Sequence, residues 1–242
     1  MGGLRIVLLF ACAIMATGAW PLARLKLPPQ LAQTGRRLRL FHPYMVRFLP
    51  PFLLWSIVIG SFPAFGAIYL QKVMHLPLAM IGVVFAGSQL MQFAAVLSAP
   101  LLFRRPGLAR GIAIAQIATA AFLVLITGAT SLSFAIAFYL AYNTAQFMCE
   151  PGIYNLLMNR IPAEERSTAS ALQNLSSALC QAGTAAVTGS CIVLFGYHPV
   201  LLANAAFALL AAILFLALPA TGKSPESAAE AAAVARTAEC PH

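Results

Sequence analysis

Glu150 is the one acid inside a long apolar run, and it sits on a polar stripe. Tyr139, Asn143, Gln146, Glu150 and Tyr154 are spaced by four, three, four and four residues, which sets all five on one face of a helix. Arg160 follows Glu150 by ten residues, or about 15 Å along a helix at about 1.5 Å per residue. With Arg160 at a membrane surface, Glu150 lies near the middle of a hydrocarbon core about 30 Å thick. Ionising a carboxylate there is costly unless a cation or several donors hold it. Two readings follow. Glu150 either couples a proton to a conformational change or contacts a substrate, or it pairs with an Arg, Asn or Tyr and only fixes helix packing.

Other polar residues recur at helical spacing. Asn174, Ser177, Gln181, Thr184 and Thr188 form a second stripe, and Ser88, Gln89 and Gln92 a short cluster. Behind Glu150, Gln146, Asn143, Tyr139 and Tyr154, the second candidates for a substrate or proton pathway are Gln89, Gln92, Asn174 and Gln181. The competing reading is interhelical hydrogen-bond glue. Two breaks interrupt the apolar runs. One is Gly60-Ser61-Phe62-Pro63, with Gly66 beyond; the other is Pro151-Gly152. Proline removes a helix hydrogen bond and glycine relaxes the backbone, so Gly60, Pro63, Pro151 and Gly152 are expected hinges. No metal or cofactor is implied. Cys12, Cys149, Cys180, Cys191 and Cys240 lack zinc-ligand spacing and read as small apolar packing residues.

The elements that carry these residues follow from composition. The chain has 242 residues, 61% hydrophobic and 9% charged, against roughly 25% charged in soluble domains. With a mean hydropathy of +0.85, it could not cover its surface in water. The bilayer must be its solvent, and the chain is an all-α polytopic membrane protein. A spanning helix needs about 20 apolar residues. About seven candidates appear: Leu4–Leu22, Phe48–Leu70, Leu78–Leu102, Ile112–Thr127, Ser133–Met158, Ala169–Phe195 and Val200–Leu218. The fourth is short unless it extends into its flanks.

The net charge of +9 does not indicate nucleic acid, because the basic residues sit in short loops, where they attract anionic lipid headgroups. With seven spans, thirteen of the fifteen Lys and Arg fall on one side, and only Arg5 and Lys72 lie opposite. The crowded side is cytoplasmic by the positive-inside rule, which puts the C-terminus inside and the N-terminus outside. A cleaved signal peptide over residues 1 to about 19 would put Arg36, Arg37 and Arg39 outside, against that rule. The preferred expectation is a chain that begins partway through a longer protein. The organisation then reads as a leading helix (1–24), a basic cytoplasmic loop (25–47), a six-helix bundle (48–219) and a tail (220–242) that is disordered or weakly helical. Within the loop, Leu31–Leu40 reads either as a solvated linker or as a basic helix on the membrane surface.

Polar residues concentrate in the second, third, fifth and sixth segments, which should line an interior. The first, fourth and seventh are nearly apolar, apart from Gln116, Thr119 and Asn204, and should face lipid. Segments two to four and five to seven form two sets of three, each opening on an interrupted helix. Interrupted helices at matching positions of a repeat point to a transporter's binding region.

Three stretches carry a family resemblance. Ala99-Pro100-Leu101-Leu102-Phe103-Arg104-Arg105-Pro106-Gly107-Leu108-Ala109-Arg110 looks like a degenerate copy of a Gly-rich basic loop motif. The acidic residue usual in that motif is absent, with Phe103 near its place, so its charge relay is not carried over. Glu150 to Leu172 resembles a tenth helix and its following loop, with Pro162 and Arg166 matching a P-x-x-x-R pattern. Phe195-Gly196-Tyr197-His198-Pro199 is similar to the short turn before a last helix. Together they resemble the sixth to twelfth helices of the major facilitator superfamily (MFS), over residues 4 to about 219. The resemblance implies a C-terminal six-helix bundle of two inverted three-helix repeats, preceded by one helix. It implies that the seventh and tenth helices line a central cavity, with the ninth and twelfth peripheral. Arg104, Arg105 and Arg166 would be gating or topology contacts of the cytoplasmic loops.

The expected function is therefore a secondary transporter, a permease or efflux carrier in the bacterial inner membrane. It would move a small molecule by alternating access, with proton coupling through Glu150. Six or seven helices supply one wall of a two-bundle cavity, so a missing N-terminal half or a second copy would complete it. A non-transporting MFS-derived subunit is one alternative. A membrane enzyme acting on a lipid or small molecule is another, but His42, His75 and His198 are scattered and no HExxH or GxSxG motif occurs.

Overall fold

The computed structural model describes residues 43–104 and 106–218, together with 12, 13, 16 and 17. Most of the expected leading span and basic loop, the tail and Arg105 lie outside the described residues. The chain divides into two units, Met1–Leu38 and Arg39–His242. Cys12, Ala13, Ala16 and Thr17 of the first unit are helical; the second unit contains the bundle.

Inside hydrocarbon a backbone has no water to bond, so each crossing must satisfy its own N–H and C=O groups as a helix. The elements are α1 (Pro43–Ser61), a 3-10 turn (Pro63–Phe65), α2 (Gly66–Lys72), α3 (Leu78–Arg104), α4 (Leu108–Thr127) and α5 (Leu132–Met158). A second 3-10 turn (Ala163–Glu165), α6 (Arg166–Phe195) and α7 (Tyr197–Ala217) follow. Among the described residues there is no strand. The short fourth segment does extend into its flank, and α4 has 20 residues. Among the described residues, five stretches are long and apolar enough to cross a membrane: Pro43–Lys72, Leu78–Arg104, Leu108–Thr127, Ala163–Phe195 and Tyr197–Ala217. The equally long α5 falls outside that set because its face carries Tyr139, Asn143, Gln146 and Glu150.

The packing has an internal symmetry. α1 lies against α6 and α7, α5 lies against α3 and α4, and α4 lies against α7. Exchanging α1 with α5, α3 with α6 and α4 with α7 maps this pattern onto itself. The chain thus holds two three-helix repeats, and three crossings each give them opposite insertion. The turns repeat as well. Gly107, before α4, has φ 83° and ψ 165°; Gly196, before α7, has φ 83° and ψ −179°. That backbone region is essentially open to glycine alone.

Close contacts hold the repeats together. A Cβ on Gly60 of α1 would lie 2.6 Å from Gln181 Cα of α6, so the two backbones cross in near contact. The Phe103 ring enters a slot between α4 and α5. A Cβ on Gly111 would collide with that ring, and one on Gly152 would lie 2.6 Å from its Cζ. Phe103, near the place of the motif's missing acid, therefore acts as an apolar wedge. Arg166 closes the turn between α5 and α6: its Nε donates to Met158 O at 3.1 Å and Ile161 O at 3.3 Å.

Two expectations are corrected. The first repeat is broken where the sequence indicated, at Phe62–Phe65, but α5 runs unbroken through Pro151 and Gly152. Proline costs a helix one turn's hydrogen bond, which neighbouring helices can hold in place. Gly152 serves packing, because Phe103 and Ile112 occupy the space of a side chain. The expectation that segments four and seven face lipid holds for one side of each only. Gln116, Thr119 and Asn204 turn inward and are buried. α4 and α7 form a rear layer behind α1 and α5, whereas α3 and α6 are the more exposed flanks.

The turn geometry makes a direct prediction. Nothing would touch a Cβ at Gly196 or at Gly87 of α3. Gly196→Ala should nonetheless destabilise by about 1–3 kcal/mol through backbone strain. Gly87→Ala, on a helical backbone, should be neutral or stabilise by up to about 1 kcal/mol. Unfolding midpoints in detergent measure both, and equal effects would remove the backbone argument.

Candidate functional site

The two ends of the bundle differ. At the end where α1 stops and α5 begins, aromatic rings fill the centre. Phe62, just past the end of α1, packs edge-on against Tyr69 at 5.5 Å, Tyr142 at 5.6 Å and Tyr139 at 6.0 Å between centroids. Phe85 of α3 and Tyr197 of α7 join this cluster through Tyr139 and Tyr69. The break after Ser61 lets it form, since Gly66 lies against the Tyr139 hydroxyl, where a Cβ would come within 2.7 Å.

At the other end, a cleft of about 530 Å³ opens between four helices. α1 contributes Phe52, Trp55 and Ile59, α3 Val96, α5 Glu150, Pro151, Ile153 and Tyr154, and α6 Gln173, Asn174, Ser177 and Gln181. These are the four segments whose polar residues pointed to an interior. Neither α4 nor α7 reaches the cleft. Glu150 is the only carboxylate or base in the lining, and among the described residues no cation lies close enough to act on it.

Part of the lining is knitted together. Ser56 Oγ donates to Phe52 O at 2.9 Å and stands 3.2 Å from Ser177 Oγ, and Gln181 Nε2 donates to Ser177 Oγ at 2.8 Å. For Ser177 and Gln181 the glue reading therefore holds beside the cleft reading. Two of the buried polar atoms without a partner belong to lining residues. Trp55 is 0% exposed with its Nε1 unsatisfied, and Gln173 is 8% exposed with its Oε1 unsatisfied.

The candidate residues thus divide. Glu150, Tyr154, Asn174 and Gln181 line the cleft. Tyr139, Asn143 and Gln146 share the stripe but are buried in helix packing, where Asn143 Nδ2 donates to Tyr139 O at 3.0 Å. Gln89 is exposed on α3 outside the cleft, and Gln92 donates to Ser88 Oγ of its own helix at 3.0 Å. Of the loop arginines, Arg166 closes its turn, Arg104 ends α3 in an exposed position, and Arg105 lies outside the described residues. Gln173 was missed because it sits one residue off the Asn174–Gln181 stripe. Phe52 and Trp55 were missed because an apolar wall has no polar signature.

The division of the α5–α6 stripes can be measured. In a cysteine-free background, Asn174→Cys should react with a water-soluble maleimide at least about tenfold faster than Asn143→Cys, because thiolate access controls the rate. Equal rates would show that the stripe is not divided in this way.

The profile of the Major Facilitator Superfamily matches residues 1–185. No curated protein matches. Two solved structures are similar in fold, both of a bacterial homologue of the iron transporter ferroportin. The inward-facing one matches with a TM-score of 0.62 at 19% identity, over 74% of this chain and 46% of its own. The outward-facing one matches with 0.60 at 20% identity, over 81% and 51%. The chain spans about half the length of these structures. With its two inverted three-helix repeats and a profile match over most of its length, this multi-pass membrane chain belongs to the major facilitator superfamily.

Proposed function

We propose that the chain forms one half of a secondary transporter that moves a small molecule by alternating access, with the four-helix cleft as its wall of the pathway. The observation that carries this reading is the cleft itself. It is concave, of ligand size and mostly apolar, with a few convergent polar groups and one unpaired carboxylate. Membrane acids are costly and usually functional, so Glu150 is assigned the coupling or substrate contact. The pathway also includes Tyr154, Asn174 and Gln181. Tyr139, Asn143 and Gln146 are assigned to the closed aromatic end.

The cleft lies at the end of the bundle that carries Arg160 and Arg166, where α5 ends and α6 begins. The positive-inside rule makes that end cytoplasmic in a bacterial inner membrane. The chain then presents a cleft open to the inside and an aromatic plug toward the outside. A second six-helix bundle, either an N-terminal half or another copy, supplies the opposite wall. Similar likeness to an inward-facing and an outward-facing structure supports a half that moves as one body. Iron is not carried over from those structures. Among the described residues, no group of three His, Cys, Asp or Glu is placed to hold a metal.

The test needs no known substrate. Asn174→Cys should be labelled by an impermeant maleimide in inside-out vesicles and spared in right-side-out ones. An imposed proton gradient should change the labelling rate, and Glu150→Gln should abolish that change. Losing one charged interaction weakens a coupled equilibrium about ten- to a hundredfold. A response unchanged in Glu150→Gln would sink the coupling role, and labelling from outside alone would reverse the orientation.

A further inference from the structure

The lining chemistry of the cleft narrows its ligand, on the reading that the cleft is the pathway. We propose that it binds an organic monocation with an apolar, aromatic body: a protonated or quaternary amine rather than an anion or a bare metal ion.

Charge is the first argument. Glu150 is the only charged group in the lining. An anion would meet a carboxylate and no Lys, Arg or His, which costs rather than gains energy in a site partly removed from water. A single positive charge is matched by the single acid.

The walls are the second argument. Phe52, Trp55 and Tyr154 give three aromatic side chains to the lining, beside Ile59, Val96 and Ile153. Aromatic faces attract organic cations, and most strongly where water is excluded. They also bury a flat apolar body. A bare divalent cation instead needs several oxygen or nitrogen ligands at once. Beside neutral amide and hydroxyl oxygens, the cleft offers one carboxylate and neither His nor Cys, too little negative charge for a bare divalent ion.

The unpaired groups are the third. A buried polar atom without a partner is costly, and in a site it marks a place where a ligand or water completes the bonding. Gln173 Oε1 is an unfilled acceptor in the lining, suited to an ammonium N–H. Trp55 Nε1 is a second buried atom of a lining residue without a partner. A volume of about 530 Å³ falls in the range of drug-sized sites, roughly 300–1,000 Å³.

The experiment uses the full chain in nanodiscs of zwitterionic lipid, with empty nanodiscs as the blank. Ethidium is the fluorescent probe, tetraphenylphosphonium the competitor and 8-anilinonaphthalene-1-sulfonate the anionic control. Saturable ethidium binding, displaced by tetraphenylphosphonium, is expected. Glu150→Gln should weaken it by about tenfold or more, while Glu150→Asp retains most of it and Glu164→Gln, outside the cleft, retains all of it. A folding defect would affect Asp and Gln alike, so the pair separates charge from structure. Binding that ignores Glu150→Gln, or anionic dye bound as tightly as ethidium, overturns the proposal. Protection of Asn174→Cys separates the two levels of the argument. Labelling that tetraphenylphosphonium does not slow rejects the monocation and leaves the pathway standing. No labelling at all rejects the pathway too.

Discussion

Helices in a bilayer gain nothing by leaving water when they meet, so their association depends on how closely they can pack. That constraint governs this bundle. Gly60 brings the α1 backbone onto Gln181 of α6, and Gly111 and Gly152 form the slot that Phe103 fills. The first contact joins the lead helix of repeat one to the flank of repeat two. The second joins the flank of repeat one to the lead helix of repeat two and to the rear layer. They occupy corresponding places in the symmetry, yet one is made backbone to backbone and the other by an aromatic wedge. The geometry of the repeat is kept while its chemistry differs.

Where packing is perfected the bundle is shut, and where it is relaxed there is a cleft. The α5 stripe shows both outcomes on one helix face. Tyr139 is enclosed by Phe62, Phe85 and Tyr142, and Asn143 and Gln146 are buried, while Glu150 and Tyr154, further along the same face, border open space. The difference lies in what comes across from α1 and its break. At one end it is the aromatic turn at Phe62; at the other it is Phe52, Trp55 and the small Ser56, which leave room.

Much of this was legible in the sequence. Apolar length placed the six described spans within a few residues, and the loop glycines marked turns that recur with the same backbone angles. The polar stripes named the four helices that build the cleft. The sequence could not say how far a stripe stays open, because periodicity fixes the face of a helix and not the depth at which a neighbour covers it. For the same reason Gln146 and Glu150 looked equivalent and are not. Pro151-Gly152 read as a break because the same residues serve hinges and tight packing. Only the neighbouring Phe103 decides between the two uses.

The repeats also differ in the continuity of their lead helices. The first lead helix ends at Ser61 and restarts at Gly66, while the second is continuous. The break therefore lies in the aromatic cluster, and the acid lies on a continuous helix. The continuous helix is held on its other faces, where α5 packs against α3 and α4. The break lets the aromatic rings meet, because Gly66 leaves room for the Tyr139 ring. The asymmetry between two otherwise matching repeats sets the broken lead helix in the closed aromatic end and the continuous one beside the cleft.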